Sequence, residues 1–171
     1  MSAIFERRSV RKFLPKPVEQ EKIERILRAG FQAPTAGNRR PWEFLVITEQ
    51  KIKDDLVALV PRAKLLAQAP ALIVTLGNPG EGKMPGDDLW WVEDCSAAVE
   101  NMLLQIVDEG LGGVWVGWYP DPEKVPPFSE YFKLPANMVG FAIIALGYAE
   151  EQPPKLDRFE PAKVHYQRYS S

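Results

Sequence analysis

Arginine and serine side chains are concentrated near the N-terminus, where Arg7, Arg8, Ser9 and Arg11 fall within five residues. Guanidinium groups bind phosphate oxygens in bidentate geometry, and a serine hydroxyl adds a neutral hydrogen-bond donor. The X–Pro steps over residues 14–17 disfavour helix, and in an extended chain Arg7, Ser9 and Arg11 share one side. This segment could therefore contact an elongated anion at several points, with a solvated helix end as the alternative interpretation.

Two later segments could hold a ligand together with these arginines. In APTAGNRRPWEF, residues 33–44, Thr35 and Asn38 offer hydrogen bonds, while prolines and a glycine restrict the loop. In GLGGVWVGWYP, residues 110–120, glycines flank a short apolar strand whose backbone could approach a large flat group. Taken singly, the first could be an ordinary turn and the second a tightly packed strand.

Composition indicates one ordinary globular domain over residues 1–171. The net charge of −2 argues against general nucleic-acid binding, although residues 1–16 hold five Arg or Lys against one Glu. A single cysteine, Cys95, fits a reducing compartment. Apolar runs are too short to span a bilayer, and no apolar stretch follows the N-terminal arginines, so we expect a cytoplasmic protein without membrane contact.

Hydrophobic periodicity predicts an α+β domain, a short sheet packed against helices. Helices are expected over 19–31, 50–60 and 87–110, and strands over 43–48, 71–76, 113–118 and 138–148. The first helix places Ile23, Ile26, Leu27, Gly30 and Phe31 on one face, and Cys95 is expected in the core. Residues 77–86 are a candidate lid, and the C-terminal residues 162–171 alternate like a strand.

Three segments in this order resemble the nitroreductase family of FMN-dependent oxidoreductases. RRSVRKF resembles the family's opening flavin motif, PTAGNRRPW its Pro–Ser/Thr–x–x–Asn–x–x–Pro–Trp loop, and GLGGVWVGW the strand that lies along the flavin. The resemblance implies a nitroreductase-like fold: a mixed, mainly antiparallel sheet flanked by helices. It also implies that the C-terminal strand is exchanged in a homodimer.

The resemblance assigns roles to the N-terminal residues. Arg7 would pair with the FMN phosphate, and Arg8 would contact the flavin mainly through its backbone. Ser9 would bond a pyrimidine or ribityl oxygen, and Arg11 would lie near the N1–C2=O2 edge of the ring.

The remaining expected contacts come from three other segments. A loop of the partner subunit would contribute Pro34, Thr35, Ala36 and Asn38. The backbone of Val116 and Gly117 would face N5 and O4. Arg158, with Lys155 as a second choice, would add a cation at the phosphate.

The implied activity is ping-pong electron transfer from NAD(P)H to a nitroaromatic, quinone or flavin-like acceptor. FMN supplies this chemistry, so no catalytic side chain and no metal are expected, and the single histidine, His165, need not take part. Arg40 stands where many members have glutamine, which bears on the substrate rather than the cofactor. The alternatives are dehalogenation, flavin fragmentation or substrate dehydrogenation on the same scaffold, a non-enzymatic flavin carrier, and a nucleic-acid module with a basic arm.

Overall fold

The structure is a computed structural model that describes residues 2–60, 63–82 and 89–169. In it, helices and strands alternate irregularly along the chain. The helices are α1 (Ala3–Glu6), α2 (Gln20–Phe31), α3 (Gln50–Leu59), α4 (Leu65–Gln68), α5 (Trp90–Asp108) and α6 (Val125–Tyr131). The strands are β1 (Trp42–Ile47), β2 (Ala71–Gly77), β3 (Gly112–Gly117) and β4 (Val139–Gly147). Short 3₁₀ turns occupy Ala36–Asn38 and Pro161–Lys163.

The strands form one antiparallel sheet in the order β1–β2–β4–β3. In its register Ile144 of β4 lies between Ile73 of β2 and Trp115 of β3. Both central strands are almost entirely buried, β2 throughout its length. Since both faces of these strands pack against other elements, they read as continuous apolar runs rather than as alternating ones.

Helices cover both faces of the sheet. On one face α2 and α5 pack over a core that includes Ile26, Met102 and Ile144. On the other face α3, α4 and α6 pack over a second core with Leu56 and Ile143. The predicted α+β class, with an antiparallel sheet flanked by helices, is confirmed.

Long periodic segments agree with the sequence, and short ones were missed. Predicted strands and helices match the observed elements to within one or two residues at the ends that the structure describes. Cys95 is buried as expected, whereas Phe31 is 54% exposed although its ring packs edge-to-face on Phe44. Three helices were not predicted. Two of them, α1 and α4, are too short to show a periodic pattern. The third, α6, has prolines in its first turn, where a backbone N–H has no partner within the helix.

The C-terminal tail differs from its predicted form. Instead of a strand, the chain makes the turn at Pro161–Lys163 and then bends, with a left-handed φ of 59° at Gln167. A terminal strand needs a sheet edge to pair with. Within the single chain the described tail residues do not form a strand. Exchange of this tail with a partner stays a prediction. The candidate lid at 77–86 lies partly outside the described residues, as do residues 170–171.

None of the helices in the described ranges is long and apolar enough to cross a membrane.

Candidate functional site

The basic strip, Arg7–Arg11, is docked along the edge of the sheet. Its backbone pairs with β3 in parallel, with Ser9 opposite Gly113 and the Val10 N–H donating to the Gly113 carbonyl at 3.0 Å. Val10 is buried, and a Cβ at Gly112 would stand 2.6 Å from its side chain, so this close approach requires glycine. Because Val10 points inward, its neighbours in the strip stand on the exposed side.

Arg8 anchors the C-terminal segment rather than extending freely. Its Nε donates to the Pro154 carbonyl and its Nη2 to the Leu156 carbonyl, both at 3.0 Å. Its Nη1 donates to the carbonyl of Arg7 at 2.6 Å. The guanidinium therefore fixes a segment that is more than 140 residues away in the sequence against the basic strip.

Basic residues from both ends of the chain converge on one cavity, which we name the cation cleft. Its volume is about 530 Å³, and Arg7, Arg8, Lys155 and Arg158 line it. Exposed apolar side chains complete its wall: Ile4, Phe5, Leu156 and Phe159. Four cations against one lining acid, Asp157, give the cavity the character of an anion site.

Two of these cations are held by carboxylates that the sequence did not single out. The Arg7 Nε lies 3.3 Å from Glu100 Oε1, and the Lys155 Nζ lies 3.3 Å from Glu6 Oε1. Both pairs are partly exposed to solvent. Exposed ion pairs contribute little free energy, so an incoming phosphate could replace either carboxylate.

Ser9 and Arg11 line a neighbouring depression of about 330 Å³, together with residues 151–154. The Arg11 Nη1 donates a long hydrogen bond of 3.4 Å to the Ser9 carbonyl. Since the guanidinium is exposed and has only this weak local contact among the described bonds, it can reorient toward a ligand in the depression.

The loop from Pro34 to Arg40 holds an unusual backbone. Gly37 and Asn38 have φ of 57° and 55°, and Arg40 has φ of 53°. Glycine adopts this left-handed region freely and asparagine tolerates it better than most residues. The Thr35 hydroxyl accepts the Arg40 N–H at 3.2 Å, which closes the loop on itself.

A buried carboxylate supports this loop from helix α5. The Ala36 N–H donates to Asp94 Oδ1 at 2.8 Å. Asp94 is 5% exposed, and burial raises the pKa of its carboxyl against the opposing effect of the Ala36 hydrogen bond. Sequence reasoning missed Asp94, although a carboxylate between the buried positions of an apolar helix face is a signal that could have found it.

The strand segment expected along the flavin ends at the open edge of the sheet. In the described part of the chain β3 pairs with β4 on one side and only at Gly113 with the basic strip on the other. Gly117 is exposed, with open space where a Cβ would stand. The Val116 side chain lies on the face of the sheet that α3, α4 and α6 cover, and it lines a cavity of about 390 Å³ there. The backbone at Val116 and Gly117 is thus accessible at an edge.

A single chain brings only some of the expected residues together. Arg7, Arg8, Lys155 and Arg158 share the cation cleft, and Ser9 and Arg11 lie beside it. The Pro34–Arg40 loop lies elsewhere on α5: it contacts Asp94, whereas Arg7 contacts Glu100 six residues later. Six residues correspond to a rise of about 9 Å and a rotation of about 240°, so the two groups meet different sides of the helix.

Comparison with known proteins identifies the family. A model of the nitroreductase family matches residues 4–62 and 57–148. The chain belongs to the nitroreductase family. "Putative NADH dehydrogenase/NAD(P)H nitroreductase" is the name of a relative from Archaeoglobus fulgidus that is 36% identical, with 99% of this chain and 98% of the relative covered.

Solved structures agree with this assignment to the nitroreductase family. A "Putative NADH Oxidase" from Clostridium acetobutylicum superposes with a TM-score of 0.91 at 38% identity, covering 98% of this chain and 100% of the other. An FMN-dependent nitroreductase from Clostridium difficile gives 0.89 at 27% identity, covering 98% and 99%. More distant relatives include an iodotyrosine deiodinase from Thermotoga neapolitana at 24% identity and a 5,6-dimethylbenzimidazole synthase from Rhodospirillum rubrum at 27%. The nitroreductase family is a family of oxidoreductases.

Proposed function

We propose that this nitroreductase-family chain is an FMN-dependent oxidoreductase that moves electrons from NAD(P)H to an aromatic acceptor. The observation that carries the proposal is the cation cleft, where Arg7 and Arg8 meet Lys155 and Arg158 from the opposite end of the chain. A dianionic phosphate fits such a cleft because it can accept bidentate hydrogen bonds from several guanidinium groups. The FMN-dependent relative of similar fold supports the choice of flavin.

The residues of the chain would bind FMN at its two ends. Arg7 and Arg158 would hold the phosphate, and Ser9 would bond the ribityl chain or the pyrimidine. Arg11 would hold a positive charge against the N1–C2=O2 edge of the ring. The exposed backbone at Val116 and Gly117 would face N5 and O4. Bound FMN would supply the two-electron transfer chemistry, so no side chain of this set needs to donate or accept electrons.

A second copy of the chain would complete the site. The Pro34–Arg40 loop and the cation cleft meet different sides of α5, which supports a site that takes its phosphate contacts from one subunit and loop contacts from the other. Apolar side chains that are more than half exposed surround the cleft, as expected of a surface covered by a partner: Ile4, Phe5, Leu156 and Phe159. The proposed assembly is a homodimer in which the C-terminal tail reaches the other subunit.

Turnover kinetics test this function directly. NADH or NADPH should reduce FMN bound to the protein in an anaerobic stopped-flow experiment with no acceptor present. Steady-state double-reciprocal plots against a quinone should then be parallel, because both substrates use one pocket in turn. Intersecting lines would mean that both bind together, and the absence of reduction by either nucleotide would favour a flavin carrier.

Arg11 offers a residue-level test of the same proposal. Arg11→Ala should lower the midpoint potential of the bound flavin, because a cation would be lost from beside the ring edge that becomes negative on reduction. Lys51→Ala, an exposed cation on α3 away from this depression, is the control and should leave the potential unchanged. An unchanged potential in Arg11→Ala would rule out this role.

A second candidate function is a different flavin reaction on the same scaffold, which the distant deiodinase and 5,6-dimethylbenzimidazole synthase relatives favour. Dehalogenation would release iodide from iodotyrosine under reducing conditions. Flavin fragmentation would consume FMN that NAD(P)H has reduced, with dioxygen as the oxidant, and mass spectrometry of the released flavin would detect the loss. Multiple turnovers of a quinone with intact FMN and no iodide release would favour the oxidoreductase.

A further inference from the structure

Asp94 is a carboxylate buried within the apolar side of α5. It lies three residues after Trp91 and four before Ala98, both of which are buried at 2% or less exposure. Residues at these spacings lie on the same face of a helix. An apolar side chain at position 94 would pack there without the cost of removing a carboxylate from water, so packing alone gives no reason for this residue type.

The two oxygens of Asp94 differ in their surroundings. Oδ1 accepts the Ala36 N–H at 2.8 Å, whereas Oδ2 is buried and has no hydrogen-bond partner among the described residues. A carboxyl that leaves one buried oxygen unsatisfied is costly. The one described hydrogen bond that offsets this cost is the bond to the Pro34–Arg40 loop.

The Ala36 N–H is the first donor of the 3₁₀ turn Ala36–Asn38, a group with no partner inside the turn that needs one from elsewhere. Thr35 stands at the cap position but makes no capping bond, because its hydroxyl accepts the Arg40 N–H instead. Asp94 takes the role of the cap from a distant element, 58 residues along the chain. The following residues, Gly37 and Asn38, are left-handed. The bond to Asp94 therefore helps to hold the turn in a left-handed conformation that residues other than glycine adopt only at some cost.

We propose that Asp94 is a positioning residue that caps the Ala36–Asn38 turn and thereby fixes this loop, which we assign to the ring system of FMN because the cation cleft takes the phosphate. This inference rests on the proposed function for the loop's ligand, but the capping bond itself does not depend on flavin. Asp94 is buried beneath the loop, so it acts through the Ala36 backbone and not by touching the cofactor. Its loss should weaken binding of any flavin, with or without a phosphate.

The test combines amide hydrogen exchange with flavin titration in the full-length protein. Asp94→Ala should remove protection of the Ala36 amide and weaken FMN and riboflavin binding by the same factor, about tenfold for one lost hydrogen bond to a charged group. Asp94→Asn should keep the protection and bind both flavins within about twofold of wild type, because its amide oxygen can accept the same bond. Glu93→Ala, exposed at the adjacent position, should change neither readout.

Several outcomes would overturn the proposal. Unchanged Ala36 exchange in Asp94→Ala would show that the bond does not hold the turn, and a loss in Asp94→Asn equal to that in Asp94→Ala would exclude the capping role. A loss for FMN but not for riboflavin would place the effect at the phosphate instead. If the wild-type protein binds neither flavin, the proposed function fails, and exchange at Ala36 still decides the capping bond. If Asp94→Ala does not fold, Asp94→Leu, which has a similar branched shape and no acceptor, takes its place, and unchanged exchange at Ala36 in that variant would overturn the proposal.

Discussion

The cation cleft and the Pro34–Arg40 loop are built in opposite ways. The cleft is an exposed cavity whose charged side chains are held by carbonyls and by partly exposed carboxylates. The loop presents its backbone and is supported by one buried carboxylate beneath it. The difference separates two tasks. The exposed charges of the cleft attract a phosphate, and salt screens this attraction. The buried hydrogen bond instead fixes the shape of the loop, which any flavin ring would contact.

Removal of a cleft arginine should have the largest effect on flavin affinity. This loss of affinity should be confined to FMN, the flavin that carries a phosphate. We expect Arg7→Ala and Arg158→Ala each to weaken FMN binding by about 1.5–3 kcal/mol, the size of a hydrogen bond to a charged group. Riboflavin, which lacks the phosphate, should bind as before. Fluorescence titration of both flavins measures this, with Lys51→Ala on α3 as the control cation remote from the cleft. Equal losses for the two flavins would remove the distinction between cleft and loop.

A strained loop should give a smaller effect that is common to both flavins. Gly37 has φ of 57°, and a side chain in this region costs about 1–2 kcal/mol. Gly37→Val should therefore shift the loop and weaken FMN and riboflavin alike, by up to about tenfold, in the same titration. Lys133→Val serves as the control, because Lys133 has a similar φ of 51° and is exposed just after α6, away from the loop. Selective loss of FMN in Gly37→Val would contradict the assignment of the loop to the ring.

Sequence patterns defined the segments of these two regions but not the contacts that hold them in place. The basic strip was visible because its residues are adjacent, and β2 and α2 were visible because their apolar patterns are long and regular. The bonds between Ala36 and Asp94 and between Arg7 and Glu100 join residues that are far apart in the chain, and no local pattern encodes such pairs. The tail is the opposite case, since its alternation satisfies a strand pattern but the described tail residues pair with no strand within the single chain.

The smallest expected effect is a gain. Glu100 holds Arg7 in an ion pair of 3.3 Å, and this pair must open if Arg7 binds a phosphate. Glu100→Gln should therefore tighten FMN binding by about two- to fivefold, the range of an exposed ion pair, and leave riboflavin binding unchanged. The gain should shrink as salt is added to the titration. Weaker FMN binding in Glu100→Gln would mean that Glu100 orients Arg7 for the phosphate instead of competing with it.

Subunit complementation tests most directly whether cleft and loop meet at one flavin site built from two chains. One variant carries Arg7→Ala and Arg158→Ala, the other carries Gly37→Val, and each alone should bind FMN weakly. In a mixed dimer, the intact cleft of the second chain would face the intact loop of the first and form one tight FMN site. When the two variants are unfolded and refolded together, about half of the dimers should be mixed. Flavin titration of the isolated mixed dimer should then give one site of wild-type affinity per two chains. Failure of the mixed dimer to recover any tight site would contradict a site shared between subunits.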